Sequence, residues 1–152
     1  MIIDAQGYLS SSQALSGAGA ANSTNTYDAS SNRKIGIGEP LCVVVCTKVA
    51  AKYSAGDETY QVDVQVDAAD TFGSPRVVAS RAFTNAQAAA ELTLGSRLIL
   101  DLPADVAGNE RCVRLYYTLG GTVPKWTVTS FIVPRSFVEA FVTYPDAITI
   151  SP

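Results

Sequence analysis

The chain has 152 residues and a mass of 16.0 kDa, with 11 Lys and Arg, 14 Asp and Glu, and no histidine. That length supports one domain with a real core, and a charged fraction of 16%, below the roughly 25% of an average soluble domain, leaves the surface to Ser, Thr, Ala and Gly. Lack of histidine excludes a Ser-His-Asp triad, a Cys-His pair, His-ligated zinc and imidazole acid–base catalysis, while a net charge of −3 argues against nucleic acid as a partner.

The start, Met1-Ile2-Ile3-Asp4-Ala5-Gln6-Gly7-Tyr8, lacks the basic and apolar regions of a signal peptide. Residues 10–34 are almost devoid of large apolar groups. Such a stretch cannot offset its own ordering entropy, so residues 1–34 are expected to form a polar N-terminal arm, loose or ordered by packing on a partner.

From Ile35 the character changes to short β-branched runs closed by turn residues, the rhythm of an all-β sandwich or barrel. Leu41 to Lys48 is nearly continuously apolar and reads as a central strand; its run Leu41 to Cys46 is far too short to span a bilayer, so no membrane partner is expected. Cys42 and Cys46 share one face about 13 Å apart, too far for a disulfide; with Cys112 they read as small buried hydrophobes in a reducing compartment. Tyr60 to Asp67 alternates, placing Val62, Val64 and Val66 inward and Gln61, Asp63, Gln65 and Asp67 on a wet face. Arg76 to Phe83 follows the turn Gly73-Ser74-Pro75. Asn85 to Leu92 is alanine-rich and short, consistent with a helix, a single turn or a loop.

Arg97 to Leu102 is a strand stopped by Pro103. Cys112 to Leu119 puts Val113, Leu115, Tyr117 and Leu119 on one face, and Lys125 to Val133 puts Trp126, Val128, Ser130 and Ile132 on one side. Gly120-Gly121 between them predicts a hairpin with a loop of about five residues. Ser136 to Tyr144 and Ala147 to Ile150 add one or two further strands. The whole is an all-β antiparallel sandwich of seven to nine strands: arm 1–34, core 35–133, and a strand or tail 134–152 that packs on the core or on a partner.

No motif for chemistry survives inspection. Gly36-Ile37-Gly38-Glu39-Pro40 precedes a strand and lacks the third glycine, so it is a turn rather than a dinucleotide fingerprint. Asp57, Glu58, Asp63, Asp67 and Asp70 lack calcium-loop spacing, and nothing marks a glycosidase pair. Trp126, Tyr116 and Tyr117 would make a sugar-stacking platform only if exposed together; packing of Trp126 and one Tyr between the sheets is the simpler reading. Asn22-Ser23-Thr24 is a glycosylation sequon with no secretion signal to give it meaning. The expectation is a non-enzyme with no catalytic residue, no cofactor and no metal. Large apolar groups in polar or terminal segments often anchor interfaces, which nominates Tyr8, Leu9, Phe137, Phe141 and Tyr144.

One ordered series of short pieces stands out. Ile35-Gly36-Ile37-Gly38-Glu39-Pro40-Leu41, Gly56-Asp57-Glu58-Thr59-Tyr60 and Phe72-Gly73-Ser74-Pro75 come first. Leu94-Gly95-Ser96, Leu100-Asp101-Leu102-Pro103 and Arg111-Cys112-Val113-Arg114-Leu115-Tyr116-Tyr117 follow. Thr118-Leu119-Gly120-Gly121-Thr122-Val123-Pro124 and Thr127-Val128-Thr129 close it. In order and spacing this resembles the capsid cement, or decoration, proteins of tailed bacteriophages, of the kind first described in a Bordetella phage. The resemblance covers about residues 35–133, with an echo at Gln13-Ala14-Leu15; the segment beyond Pro134 lies outside it. It implies a jelly-roll sandwich on the exterior of the virion head, made in the bacterial host cytoplasm. The implied partners are the phage major capsid protein and the chain itself, as a dimer in preference to a trimer. A carbohydrate-binding sandwich, or another head–tail structural component, is the alternative.

Overall fold

The computed structural model describes residues 7–29, 39–103 and 109–140. In chain order the elements are β1 (Tyr8–Ser16), β2 (Gly19–Asn22), β3 (Tyr27–Asp28), β4 (Leu41–Val49), β5 (Thr59–Asp67), β6 (Arg76–Phe83), α1 (Asn85–Glu91), β7 (Arg97–Asp101), β8 (Cys112–Gly120), β9 (Lys125–Pro134) and α2 (Arg135–Ala140). Sheet A has the order β1-β9-β4-β7 and sheet B the order β2-β8-β5-β6, with β3 beside β8. All pairings are antiparallel. They nest: β5 with β6, β4 with β7, β2 with β8 and β1 with β9. A long antiparallel ribbon with β5–β6 at its tip has been wrapped into two facing sheets, which is the jelly roll.

Alternation fixes the inner faces as the sequence predicts. Val43 and Val45 of β4, Val62, Val64 and Val66 of β5, Val113, Leu115, Tyr117 and Leu119 of β8, and Trp126, Val128 and Ile132 of β9 form one core between the sheets. Trp126 is met edge-on by Tyr60 and Tyr117, with ring centroids 6.0 and 6.3 Å away. Its indole Nε1 donates to Thr47 Oγ1 at 3.1 Å. The Tyr117 hydroxyl lies 3.0 Å from Ser10 Oγ and 3.2 Å from Ser130 Oγ. Buried polar groups are thus paired, as a low-dielectric interior demands.

Four expectations are corrected. The polar stretch after Tyr8 is no arm: β1 pairs along β9 and β2 along β8, so residues 8–22 complete both sheets. Their small side chains suffice because the ladder supplies the hydrogen bonds, while Leu9 and Leu15 supply the core contact. The β8–β9 connection is a corner and not a hairpin, since β8 lies in sheet B and β9 in sheet A. Segment 135–140 is helical rather than extended. Helix lets the consecutive Phe137 and Val138 both face the sheet, whereas a strand would turn one of them away.

The fourth concerns the wet face of β5: Asp63 and Gln65 point outward yet are only 7% exposed. Neighbouring side chains roof them. Gln61 Nε2 donates to both Asp63 carboxylate oxygens at 2.9 and 3.0 Å, and Arg114 Nε donates to Gln65 Oε1 at 2.8 Å. The Arg114 guanidinium then lies 4.1 Å from the centre of the Phe72 ring.

Asn85–Glu91 resolves as a helix because a capping box starts it: Thr84 accepts from the Gln87 amide and the Gln87 side chain accepts from the Thr84 amide. A buried carboxylate ties this helix to the β4–β5 loop. Glu58, fully buried, accepts from the amides of Ala55 at 2.9 Å and Gly56 at 3.0 Å and from Asn85 Nδ2 at 2.8 Å.

Candidate binding face

The two sheets differ on their outer faces. Sheet B presents Gln61, Asp63, Gln65, Ser80 and Arg114, joined by side-chain hydrogen bonds. Sheet A presents an apolar patch on β4 and β9, bordered by Thr129, Arg97 and Asp101. Cys42 and Val44 of β4 and Val133 of β9 form a second small cluster on the side away from the core, with Cys46, Phe131 and Val138 packed against it. The origin is legible in β4: its near-continuous apolar run covers both faces of a central strand. On its core face sheet A meets sheet B; on its other face, among the described residues, the six-residue α2 lies against it.

Helix α2 is held at its first turn. The Arg135 amide donates to the Pro40 carbonyl at 2.7 Å, the Arg135 guanidinium pairs with Asp101, and the Ser136 hydroxyl donates to Glu39. This places Phe137 and Val138 opposite Val44, Phe131 and Val133, leaving a groove of about 160 Å³ between helix and sheet. Cys46 and Arg97 also line it. An engineered apolar cavity of ~150 Å³ admits benzene, so the groove holds about one aromatic ring. Burial pushes the Cys46 thiol up, against the opposing pull of Arg97 and Lys48. Burial likewise raises Cys112, Tyr60 and Tyr117, keeping them protonated. None of the three cysteines is in a disulfide.

The nominated interface residues separate accordingly. Tyr8 lies on the outer face of sheet A, its ring edge-on to Phe131 with centroids 6.0 Å apart. Phe137 walls the groove and is 46% exposed. Leu9 is corrected: a register shift between Tyr8 and Ser10 turns both Leu9 and Ser10 inward, and Leu9 is fully buried in the core. Phe141 and Tyr144 lie outside the described residues. Sequence reasoning passed over Val44, Phe131, Val133 and the half-exposed Ile99, although apolar residues at successive positions of β4 and β9 carried the signal.

The remaining candidates have structural partners. Asp57 accepts from the Thr122 amide at 3.1 Å and from its hydroxyl at 2.7 Å, and these bonds hold its carboxyl below the usual range. Asp67 is lowered chiefly by the Ser74 amide. No set of three or more Cys, Asp or Glu among the described residues is grouped to hold a metal ion. Trp126 and Tyr117 are buried between the sheets and Tyr116 faces out, so no sugar platform forms from the three. Ser23 of the sequon is buried, its hydroxyl accepting from the Leu115 amide at 3.1 Å. No helix among the described residues is long and apolar enough to cross a membrane.

Fold and surface together define a jelly-roll β-sandwich with one polar outer face and one outer face bearing an apolar patch and a groove. The Bbp16 family model matches residues 9–132, from the start of β1 almost to the end of β9. The chain therefore belongs to the Bbp16 family, which is a Bordetella phage-related family. A search of the curated proteins finds no match.

Proposed function

We propose that the protein is a cement protein on the outer surface of a phage head, a structural component of the virion and not an enzyme. The observation that carries this reading is the phage-related family match, which runs through both sheets of the jelly roll. A stiff sandwich suits a clamp, and its edges support the same reading. Edge strand β1 carries two register irregularities, and edge strand β6 carries Arg76 and Arg81, each paired with a glutamate. Such features discourage indiscriminate strand pairing and leave association to designated surfaces.

The partner in this reading is the phage major capsid protein, with the chain itself as a small homo-oligomer, a dimer before a trimer. A cement protein acts by mass action: it binds the expanded, assembled shell better than free subunits and stabilises that state by the difference. An oligomer bridging several subunits raises the effective concentration at each contact, so modest individual contacts suffice. The test is co-sedimentation of the purified protein with expanded heads lacking it, followed by thermal melting of the particles. Saturable binding with a raised particle melting temperature is expected; no binding at micromolar protein would overturn the reading.

A further inference from the structure

The two ends of the sandwich differ as its two faces do. At one end β1, β4, β6 and β8 finish and β2, β5, β7 and β9 begin, as the pairs Ser16–Lys125, Val49–Thr127, Thr59–Gly120 and Cys46–Arg97 show. The connections gathered there are residues 17–18, 50–58, 84–96 and 121–124, all of them described.

Seven large apolar residues among the described ones are exposed, and four of them sit at this end: Leu94 at 74%, Val49 at 58%, Tyr53 at 51% and Val123 at 40%. Apolar residues exposed singly need no explanation, but their convergence marks an interaction surface. Strands β9, β4 and β7 are consecutive in sheet A, so the strand ends beside Val123, Val49 and Leu94 span about 10 Å.

The same end carries Lys48, Lys52 and Lys125, none of them in an ion pair among the described residues. By contrast, Arg76, Arg81, Arg111 and Arg135 each face a carboxylate. The acids at this end are occupied: Glu58 is buried, Asp57 is held by Thr122, and Glu91 pairs with Arg81. A chain of net charge −3 thus gathers unpaired positive charge where its apolar side chains are most exposed.

The loops are also fixed to one another. The Lys52 amide donates to the Lys125 carbonyl at 2.8 Å, the Ala51 amide to the Leu92 carbonyl at 3.0 Å, and the Gly95 amide to the Thr47 carbonyl at 2.9 Å. Asn85 Nδ2 donates to the Tyr53 carbonyl at 2.9 Å, and the Asp57–Thr122 bonds join the β4–β5 and β8–β9 connections. A platform so held loses little freedom on binding, and its contacts convert into affinity.

We propose that this end is the docking surface by which the protein seats on the shell, with Val49, Tyr53, Leu94 and Val123 against apolar side chains and the three lysines against carboxylates of a protein partner. Charge complementarity selects that partner: carboxylates set among apolar groups on the outer surface of the assembled capsid protein. A phosphate backbone would use the lysines and leave the four apolar residues without a counterpart. The inference rests on the cement reading and adds to it the face that makes the contact.

The experiment is a co-sedimentation titration of full-length variants onto expanded heads lacking the protein. L94D/V123D removes apolar contact and K48E/K125E reverses charge; V77D, similarly exposed on β6 and paired toward the opposite end, is the control. Each double variant is expected to bind about tenfold or more weakly than the parent, and V77D to bind like the parent. The K48E/K125E loss should shrink as salt is raised. Urea midpoints check folding, and should one pair misfold the other decides.

Parent-like binding of either folded double variant overturns this inference and leaves the cement role standing. A parent that does not bind the heads overturns both. Binding lost equally in V77D, or parent binding to duplex DNA that K48E/K125E abolishes, overturns the docking surface as well.

Discussion

Leu9→Ala separates a core strand from a detachable arm. Leu9 is fully buried among the inward side chains of both sheets, and its carbonyl accepts from the Asn25 amide at 2.8 Å. Truncation removes three carbon groups at ~0.8 kcal/mol each, ~2.4 kcal/mol of transfer energy. The cavity left behind adds to this, for a total of about 3 kcal/mol. With a urea dependence of ~2 kcal/mol per molar, the unfolding midpoint should fall by ~1.5 M. Tyr8→Ala, on the outer face, should move it by less than half as much. The assay is equilibrium urea unfolding of the two variants and the parent, read by Trp126 fluorescence. A Leu9→Ala midpoint within ~0.3 M of the parent would refute the placement of residues 8–16 in the sandwich and restore Leu9 as an interface anchor.

Glu58→Ala should cost about 2–3 kcal/mol in the same assay, because it strips the acceptor from Ala55, Gly56 and Asn85 at once. Gly121→Ala should cost about 2–4 kcal/mol: the backbone there has φ +97° and a Cβ would sit 2.6 Å from the Asp57 carbonyl oxygen. Stability should also fall in acid. Asp57 and Asp67 are lowered in the folded state, so their contribution is present above the unfolded value near ~3.9 and is lost as pH drops through the folded one. In denaturant titrations at stepped pH, Asp57→Asn should flatten part of that decline; an unchanged slope would count against the Thr122 bonds as its cause.

The sandwich was readable because β5, β8 and β9 keep a period of two and end at Asp67, Gly120 and Pro134. The first three strands were not, for a physical reason visible at three residues. The shift at Tyr8–Ser10 sends two neighbours inward, and Ser12 has a positive φ of 48° within the strand. Alternation is broken where the strand is most polar. The β8–β9 corner was misread because Gly120-Gly121 encodes a sharp turn but not whether the chain returns in the same sheet. For the binding face, Tyr8 and Phe137 were visible as large apolar residues in polar or terminal segments. Val44, Phe131 and Val133 were hidden by their own strand character, since an apolar residue in a strand reads as core whichever side it faces.

The nested pairing sets a timetable. Tyr8 lies opposite Phe131, and β9 sits between β1 and β4. Sheet A therefore has no contiguous surface until the ninth strand has been made. At ~5–20 residues per second a ribosome needs several seconds or more to reach it, and non-local pairings of this kind fold in milliseconds to seconds. Throughout synthesis β1 waits without its neighbour, and the apolar patch on the outer face comes into being only as the sandwich closes. A nascent chain therefore has no preformed outer face on sheet A to offer until β9 is in place.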